Sequence, residues 1–215
     1  MYVGRIVAIG KSKAGKVSAL YRVSSRSFPN REAKVLGEKV AILPKPGHEN
    51  DIFKNPYIAY NCLTTVGKKA IATNGSHTDY VAEKIAAGYP VRDALISVHH
   101  AMDYEHDSLN TPRISAVVDA ETGDGFLAIV THHSLHVAHF DLQPGQAFYV
   151  TTYEKILPCQ DQIDGTFDVA NADDACQYII GQGVFADFER PVTAACAVEE
   201  DGGFEIAIAD APPAG

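Results

Sequence analysis

The chain has 215 residues, 46% of them hydrophobic and 21% charged, which is ordinary globular usage and enough to bury a core without metal or disulfide staples. A net charge of −9 argues against a general nucleic-acid binder, which needs an electropositive footprint. No apolar run approaches the roughly 20 residues of a membrane-spanning helix. The charge is also uneven: residues 1–47 hold 10 Lys and Arg against 2 Asp and Glu, and the rest hold 8 against 25. Such a basic first segment on an acidic body reads either as a local anion site or as a solvated edge.

Taken in order, the first half is strand-rich. Strands are predicted over 2–9, 17–23 and 38–43, with a lysine-rich turn after Gly10 and a break at Pro44-Lys45-Pro46-Gly47. Tyr57–Val66 and Ala70–Thr73 pair around Gly67. The period then changes. Thr78–Ala87 reads as a helix capped by Ser76 or Thr78 and stopped by Gly88, and Pro90 opens a second with an apolar stripe at Val91, Ala94, Leu95, Val98 and Met102. Strands return over 113–119, 125–131, 135–140 and 147–153. A third helix covers 172–180, a hairpin around Asp201-Gly202-Gly203 follows, and the Pro212–Gly215 tail is expected to fray. Short strands joined by hairpin turns imply antiparallel sheets, one face covered by the helical hairpin. No linker divides residues 1–215, so one domain is expected.

Four stretches can carry chemistry. In Tyr21–Arg31, an extended backbone puts Arg22, Ser24 and Arg26 on one face, suited to a phosphate, with Arg31 able to join after the Phe28-Pro29-Asn30 turn. A solvated edge strand fits the same pattern. In Asn55–Cys62, Tyr60 and Asn61 offer donors inside an apolar strand, as an oxyanion site needs or as a half-buried strand with satisfied polar tips shows. Asn74-Gly75-Ser76-His77-Thr78-Asp79 is a strand–turn–helix junction, either an anion nest or ordinary capping. In Ala101–Arg113, Asp103, Glu105 and Asp107 crowd a helix C-terminus against the dipole. That crowding suits either a proton-transfer carboxylate with raised pKa or a polar, solvated helix end.

The other reactive residues read as quieter. Cys62, Cys159, Cys176 and Cys196 form no C-x-x-C pair and are expected reduced, in a cytoplasmic protein whose first residues show no signal-peptide pattern. His132, His133, His136 and His139 lie close together, and His132, His136 and His139 would share a face on a helix. Their flanks read as a hairpin that scatters them, so no metal site is assigned. The order Gly10–Lys16 does not match a phosphate loop.

Together Arg5, Tyr21–Arg31, Asn55–Cys62, Asn74–Asp79 and Met102–Arg113 resemble the archaeal-type IMP cyclohydrolases, in the same order over most of residues 1–150. Residues 154–215 carry no matching motif. The resemblance implies an α+β fold: a four-layer α-β-β-α sandwich of antiparallel sheets, like the N-terminal-nucleophile hydrolases but without their nucleophile. It implies ring closure of 5-formamidoimidazole-4-carboxamide ribonucleotide to inosine monophosphate, in a homo-oligomer that needs neither metal nor cofactor. Laid on this chain, Arg22, Ser24, Arg26 and Arg31 become anchors for the mononucleotide. Tyr60 and Asn61 become donors to the reacting oxygen, and Glu105 or Tyr104 the acid/base. Asn74, Ser76 and Arg113 become orienting groups. An amidohydrolase of the related fold and a non-catalytic purine-nucleotide binder remain the alternatives.

Overall fold

Hydrophobic alternation builds two antiparallel sheets. The computed structural model describes residues 1–212, so the tail expected to fray lies, from residue 213, outside the described residues. One sheet runs in the order β11 (Ile163–Asp164), β10 (Gln146–Thr151), β1 (Ile6–Lys11), β2 (Val17–Ser24), β12 (Pro191–Glu200), β13 (Gly203–Asp210). The other is a meander: β3 (Arg31–Leu36), β4 (Lys39–Pro44), β5 (Tyr60–Val66), β6 (Lys69–Thr73), β7 (Arg113–Asp119), β8 (Asp124–Val130), β9 (Leu135–Asp141). Helices α1 (Asp51–Lys54), α2 (His77–Ala86), α3 (Val91–Met102) and α4 (Ala172–Gly181) complete the fold.

The layers follow from which face of each strand is apolar. Val7, Ile9, Tyr21 and Val23 of the first sheet meet Ile42, Leu63, Ala72, Ile114 and Leu127 of the second in one buried core. Ile6, Leu20, Ala194 and Cys196, on the opposite face, pack on Cys176, Ile179 and Ile180 of α4. Ile71, Val117 and Ala128 turn outward to Val81, Leu95 and Val98 of α2 and α3. The result is helix, sheet, sheet, helix, the α+β layering expected. Among the described residues, no helix is long and apolar enough to cross a membrane.

Several boundaries differ from the sequence reading. β3 was not anticipated, because Arg31, Glu32 and Lys34 break its apolar alternation. It is the edge of its sheet, where charge is tolerated. Residues 57–59 do not extend β5: Pro56–Ile58 is a 3-10 turn, with Pro56 at its first position and Asn55 Oδ1 accepting from Tyr57 N at 2.8 Å. Ser76 precedes α2 but makes no side-chain cap bond. All four cysteines are free, with Cys62, Cys176 and Cys196 buried. His132 and His133 sit in the turn before β9, while His136 and His139 lie on it.

Antiparallel pairing brings the starts of β3, β5 and β7 and the ends of β4 and β6 to one end of their sheet. The start of β1 and the end of β2 meet at the corresponding end of the other sheet, where Ile6 faces Arg22. Most of the candidate residues collect at this end of the sandwich.

Candidate active site

Glu105 is the centre of the cluster. It leaves α3 through Asp103, whose φ of 55° breaks the helix. Asp107 then ties the loop, accepting from Leu109 N, Thr111 N and Thr111 Oγ1 at 2.8–3.1 Å. Glu105 N donates to Thr111 O at 2.8 Å, which turns the Glu105 side chain inward. Only 1% of Glu105 is exposed. Oε2 accepts from Arg5 Nη2 at 3.0 Å, whereas Oε1 is buried without a partner. Burial pushes this carboxyl up to about 7. Arg5 and Arg113 oppose the shift, Asp107 adds to it, and Arg31 opposes it more weakly.

Around it stand three arginines. Arg5 immediately precedes β1, held by its backbone to Thr152. Burial works against its charge, but Glu105, then Tyr60, Tyr21 and Tyr153, outweigh that effect and raise its pKa. Arg31 opens β3 and Arg113 opens β7, both buried. Arg31 spends its Nε on Phe28 O at 3.0 Å. Arg5 Nε and Arg113 Nε and Nη1 are buried without partners. Unpaired buried donors on cations are costly in a resting protein. They are what an anionic substrate would satisfy.

A tyrosine pair completes the cluster. Tyr21 Oη and Tyr60 Oη lie 2.5 Å apart, their rings edge to face. Burial raises both hydroxyls above the usual phenol range. Both therefore stay protonated at neutral pH. One proton joins the pair, and the other is available to an incoming oxygen.

Several candidates do not reach this cluster. Arg22 and Ser24 share a side of β2, which faces α4, but the strand ends at Ser24 and leaves Arg26 outside it. Arg22 is fully buried, with Nε donating to Ser24 Oγ and Nη1 to Ile179 O, Ile180 O and Phe185 O at 2.9–3.1 Å. Nη2 donates to Phe188 O and Glu189 O. The reason is physical: the end of α4 leaves carbonyls orphaned, and a guanidinium fork satisfies them. Arg26 is exposed, over the Tyr2 ring and beside Glu189 at 3.3 Å. Arg22 and Ser24 are thus bound into the helix layer, and Arg26 lies at the surface, apart from the cluster around Glu105.

Asn61 follows Tyr60 on one strand and so points to the other face. It donates to both oxygens of Asp79 in α2, at 2.9 and 3.1 Å. Tyr60 and Asn61 therefore cannot hold one oxygen together. Asn74 is a strap: Nδ2 donates to Pro112 O at 2.9 Å and Oδ1 accepts from Ile114 N at 2.7 Å, fixing the backbone on either side of Arg113. Tyr104 packs on His106, with ring centroids 4.2 Å apart, and its ring stands edge-on to His132. Ser76 is exposed. The structure thus gathers Tyr60, Glu105, Arg31 and Arg113 with two residues the sequence reading gave no role, Arg5 and Tyr21. Tyr21 could have been found from strand alternation, since it must face opposite to Arg22.

Residues 2–203 match the family described as IMP cyclohydrolase-like protein. The chain belongs to that family. Proteins named IMP cyclohydrolase from Methanosphaera stadtmanae and Methanocella arvoryzae are 47% and 46% identical to it. The alignments cover 94% and 99% of this chain and 96% and 100% of theirs. A protein of the same name from Methanococcus maripaludis is 43% identical over 96% of this chain and 99% of its own. The family match runs on through residues 154–203, where the sequence reading found no motif. That segment supplies α4 and β12, whose carbonyls and strand hold β2 in place.

Proposed function

We propose that this protein is an IMP cyclohydrolase, which dehydrates 5-formamidoimidazole-4-carboxamide ribonucleotide to inosine monophosphate in purine synthesis. The observation that carries the reading is the buried end-of-sandwich cluster, in which unpartnered donors of Arg5 and Arg113 surround a carboxyl whose Oε1 is also unpartnered. Three arginines against one carboxylate leave the cluster cationic, as an anionic mononucleotide requires.

The chemistry maps onto these groups. The carboxamide nitrogen bonds the formyl carbon of the same molecule and gives up one proton, while the formyl oxygen becomes a hydroxyl. The hydroxyl then leaves as water with a second proton, and the formamide nitrogen loses its hydrogen. An amide nitrogen is a poor nucleophile, so it needs a base and a held geometry. Ionised Glu105, paired to Arg5, takes the first proton through Oε1 and hands it to the formyl oxygen, then takes the formamide N–H proton and hands it to the departing hydroxyl, so that water leaves and Glu105 is ionised again. The Tyr60 hydroxyl, backed by Tyr21, donates to that oxygen as its negative charge grows. Arg31 and Arg113 hold the anionic substrate, with Ser76 at the mouth of the junction and Asn74 fixing Arg113.

The helix–sheet–sheet–helix order supports a fold like that of the N-terminal-nucleophile hydrolases without the nucleophile. We read residues 1–215 as one catalytic unit acting in the cytoplasm. The decisive experiment incubates the purified protein with the formamido ribonucleotide and follows inosine monophosphate by absorbance and mass. Ring closure well above the uncatalysed rate is expected, and its absence overturns the proposal.

A further inference from the structure

His77 is fully buried at the start of α2. Its ring is fixed on two sides. Nε2 lies 3.1 Å from Ile114 O, and an acceptor carbonyl there requires Nε2 to carry the proton. The His99 ring stands edge-on at 5.2 Å, itself anchored by Nδ1 to Leu95 O at 2.9 Å and by Nε2 to Ser115 Oγ at 3.2 Å. Burial, then His99 and Arg113, keep a second proton off His77. Its Nδ1 therefore holds a bare lone pair, buried and without a partner.

Arg113 lies close by, near enough for its charge to disfavour protonation of His77. A Cβ on Gly75 would stand 2.7 Å from Arg113 Nη1 and 3.2 Å from His77 Nδ1. Both atoms thus converge on the bare Cα of Gly75. Arg113 Nη1 is likewise buried and unpartnered. A buried donor on a cation and a buried acceptor meet over one glycine, each lacking what the other offers.

We propose that His77 is the positioning residue for Arg113: with substrate bound, its Nδ1 accepts one of the two Nη1 protons and sets the plane of the guanidinium, leaving the second Nη1 proton and Nε for the anionic substrate. The proposal rests on the reading of Arg113 as a substrate-binding group. It gives Asn74-Gly75-Ser76-His77 one purpose. Asn74 fixes the Arg113 backbone, Gly75 leaves room for its guanidinium, and His77 orients it. The chemistry asks for histidine here, because a ring donating through Nε2 to β7 must present an acceptor on its other nitrogen.

Two isosteres separate this role from a structural one. The Asn oxygen of His77→Asn falls near Nδ1, keeping the acceptor and losing the Ile114 bond. The amide of His77→Gln reaches the Nε2 position, keeping that bond and losing the acceptor. With turnover of the formamido ribonucleotide as the assay, His77→Gln is expected to lose about ten- to hundredfold in kcat/KM, the scale of a hydrogen bond to a charged group. His77→Asn is expected to lose clearly less, even if it melts at a lower temperature. The reverse ranking, with activity following the melting temperature, overturns the proposal.

Gly75→Ala keeps the test alive if both His77 variants fail to fold. Its methyl would press Arg113 Nη1, the far end of a flexible side chain, at 2.7 Å and the fixed His77 ring less closely at 3.2 Å, so the guanidinium is what moves. It too should lower kcat/KM about tenfold, and unchanged kinetics count against the role. Wild-type protein that neither turns over the substrate nor binds inosine monophosphate overturns both this inference and the function beneath it. Active wild type with the reversed ranking overturns the inference alone.

Discussion

Arg22 and Arg31 carry the same side chain and both are buried, yet their neighbours give them opposite work. Arg22 is saturated by carbonyls from the α4 end, and burial lowers its pKa only to about 10, so it remains a cation. Arg22→Met would leave those carbonyls unpaired at about 1–3 kcal/mol each. An overall loss of about 3–5 kcal/mol is expected in urea unfolding, with KM for the nucleotide nearly unchanged in the protein that folds. Arg31→Met should do the reverse, raising KM about tenfold or more with a smaller change in stability. Glu105 makes a sharper prediction. A base works when ionised, so in the proposed role of Glu105 kcat/KM should rise with pH through about 7. Glu105→Gln should lose both that inflection and most of the turnover. A Gln variant that keeps the wild-type profile removes Glu105 from the chemistry. The sequence could show that these residues were unusual, since three acids at a helix end defy the dipole. It could not show which arginine the helix would claim, because α4 lies far away in the chain.

At the scale of elements, most strands and the three longer helices were legible from period alone, because burial on one or two faces writes itself into the alternation. What escaped was what polar side chains hide. β3 is a charged edge, α1 is a single turn, and the first residues assigned to β5 are drawn into a 3-10 turn by Pro56 and Asn55. The same alternation that located β5 also forbids Tyr60 and Asn61 from acting on one atom. Asn61 instead fastens α2 to the sheet, with Asp79 also taking Lys39 Nζ at 2.7 Å and Thr78 Oγ1 bonding Asn61 O. Asn61→Ala should therefore cost about 1–2 kcal/mol of stability while leaving turnover of the folded protein within a few-fold. A large loss of kcat without a loss of stability would restore Asn61 to the chemistry.

Across the whole molecule, the site end of the sandwich sets how stability responds to acid, and its groups pull in opposite directions. His77 and His99 are buried neutral. Burial, outweighing the Leu95 carbonyl bond, takes His99 down to about 4, and His77 also lies well below its ordinary 6.5. Below pH 6.5 the unfolded chain binds protons that these rings refuse. Their contribution is therefore intact above 6.5 and is lost as pH falls toward 4. Glu105 has the opposite sign. Its folded pKa is raised from 4.5 to about 7, so the native state holds a proton that the unfolded chain has released. That contribution is intact below 4.5 and is lost as pH rises through 7. Unfolding of wild type and of Glu105→Gln, measured by urea titration from pH 4 to 8, should show the difference in stability moving in favour of the Gln variant. The change should begin near pH 4.5, reach roughly 3 kcal/mol by pH 7.5 and then level off. His99→Gln should instead flatten the loss on the acid side, between 6.5 and 4. Parallel curves for Glu105→Gln and wild type would mean that Glu105 titrates in its ordinary range. The carboxylate would then already be fully ionised well below neutrality, and the rise in turnover through pH 7 would need another group.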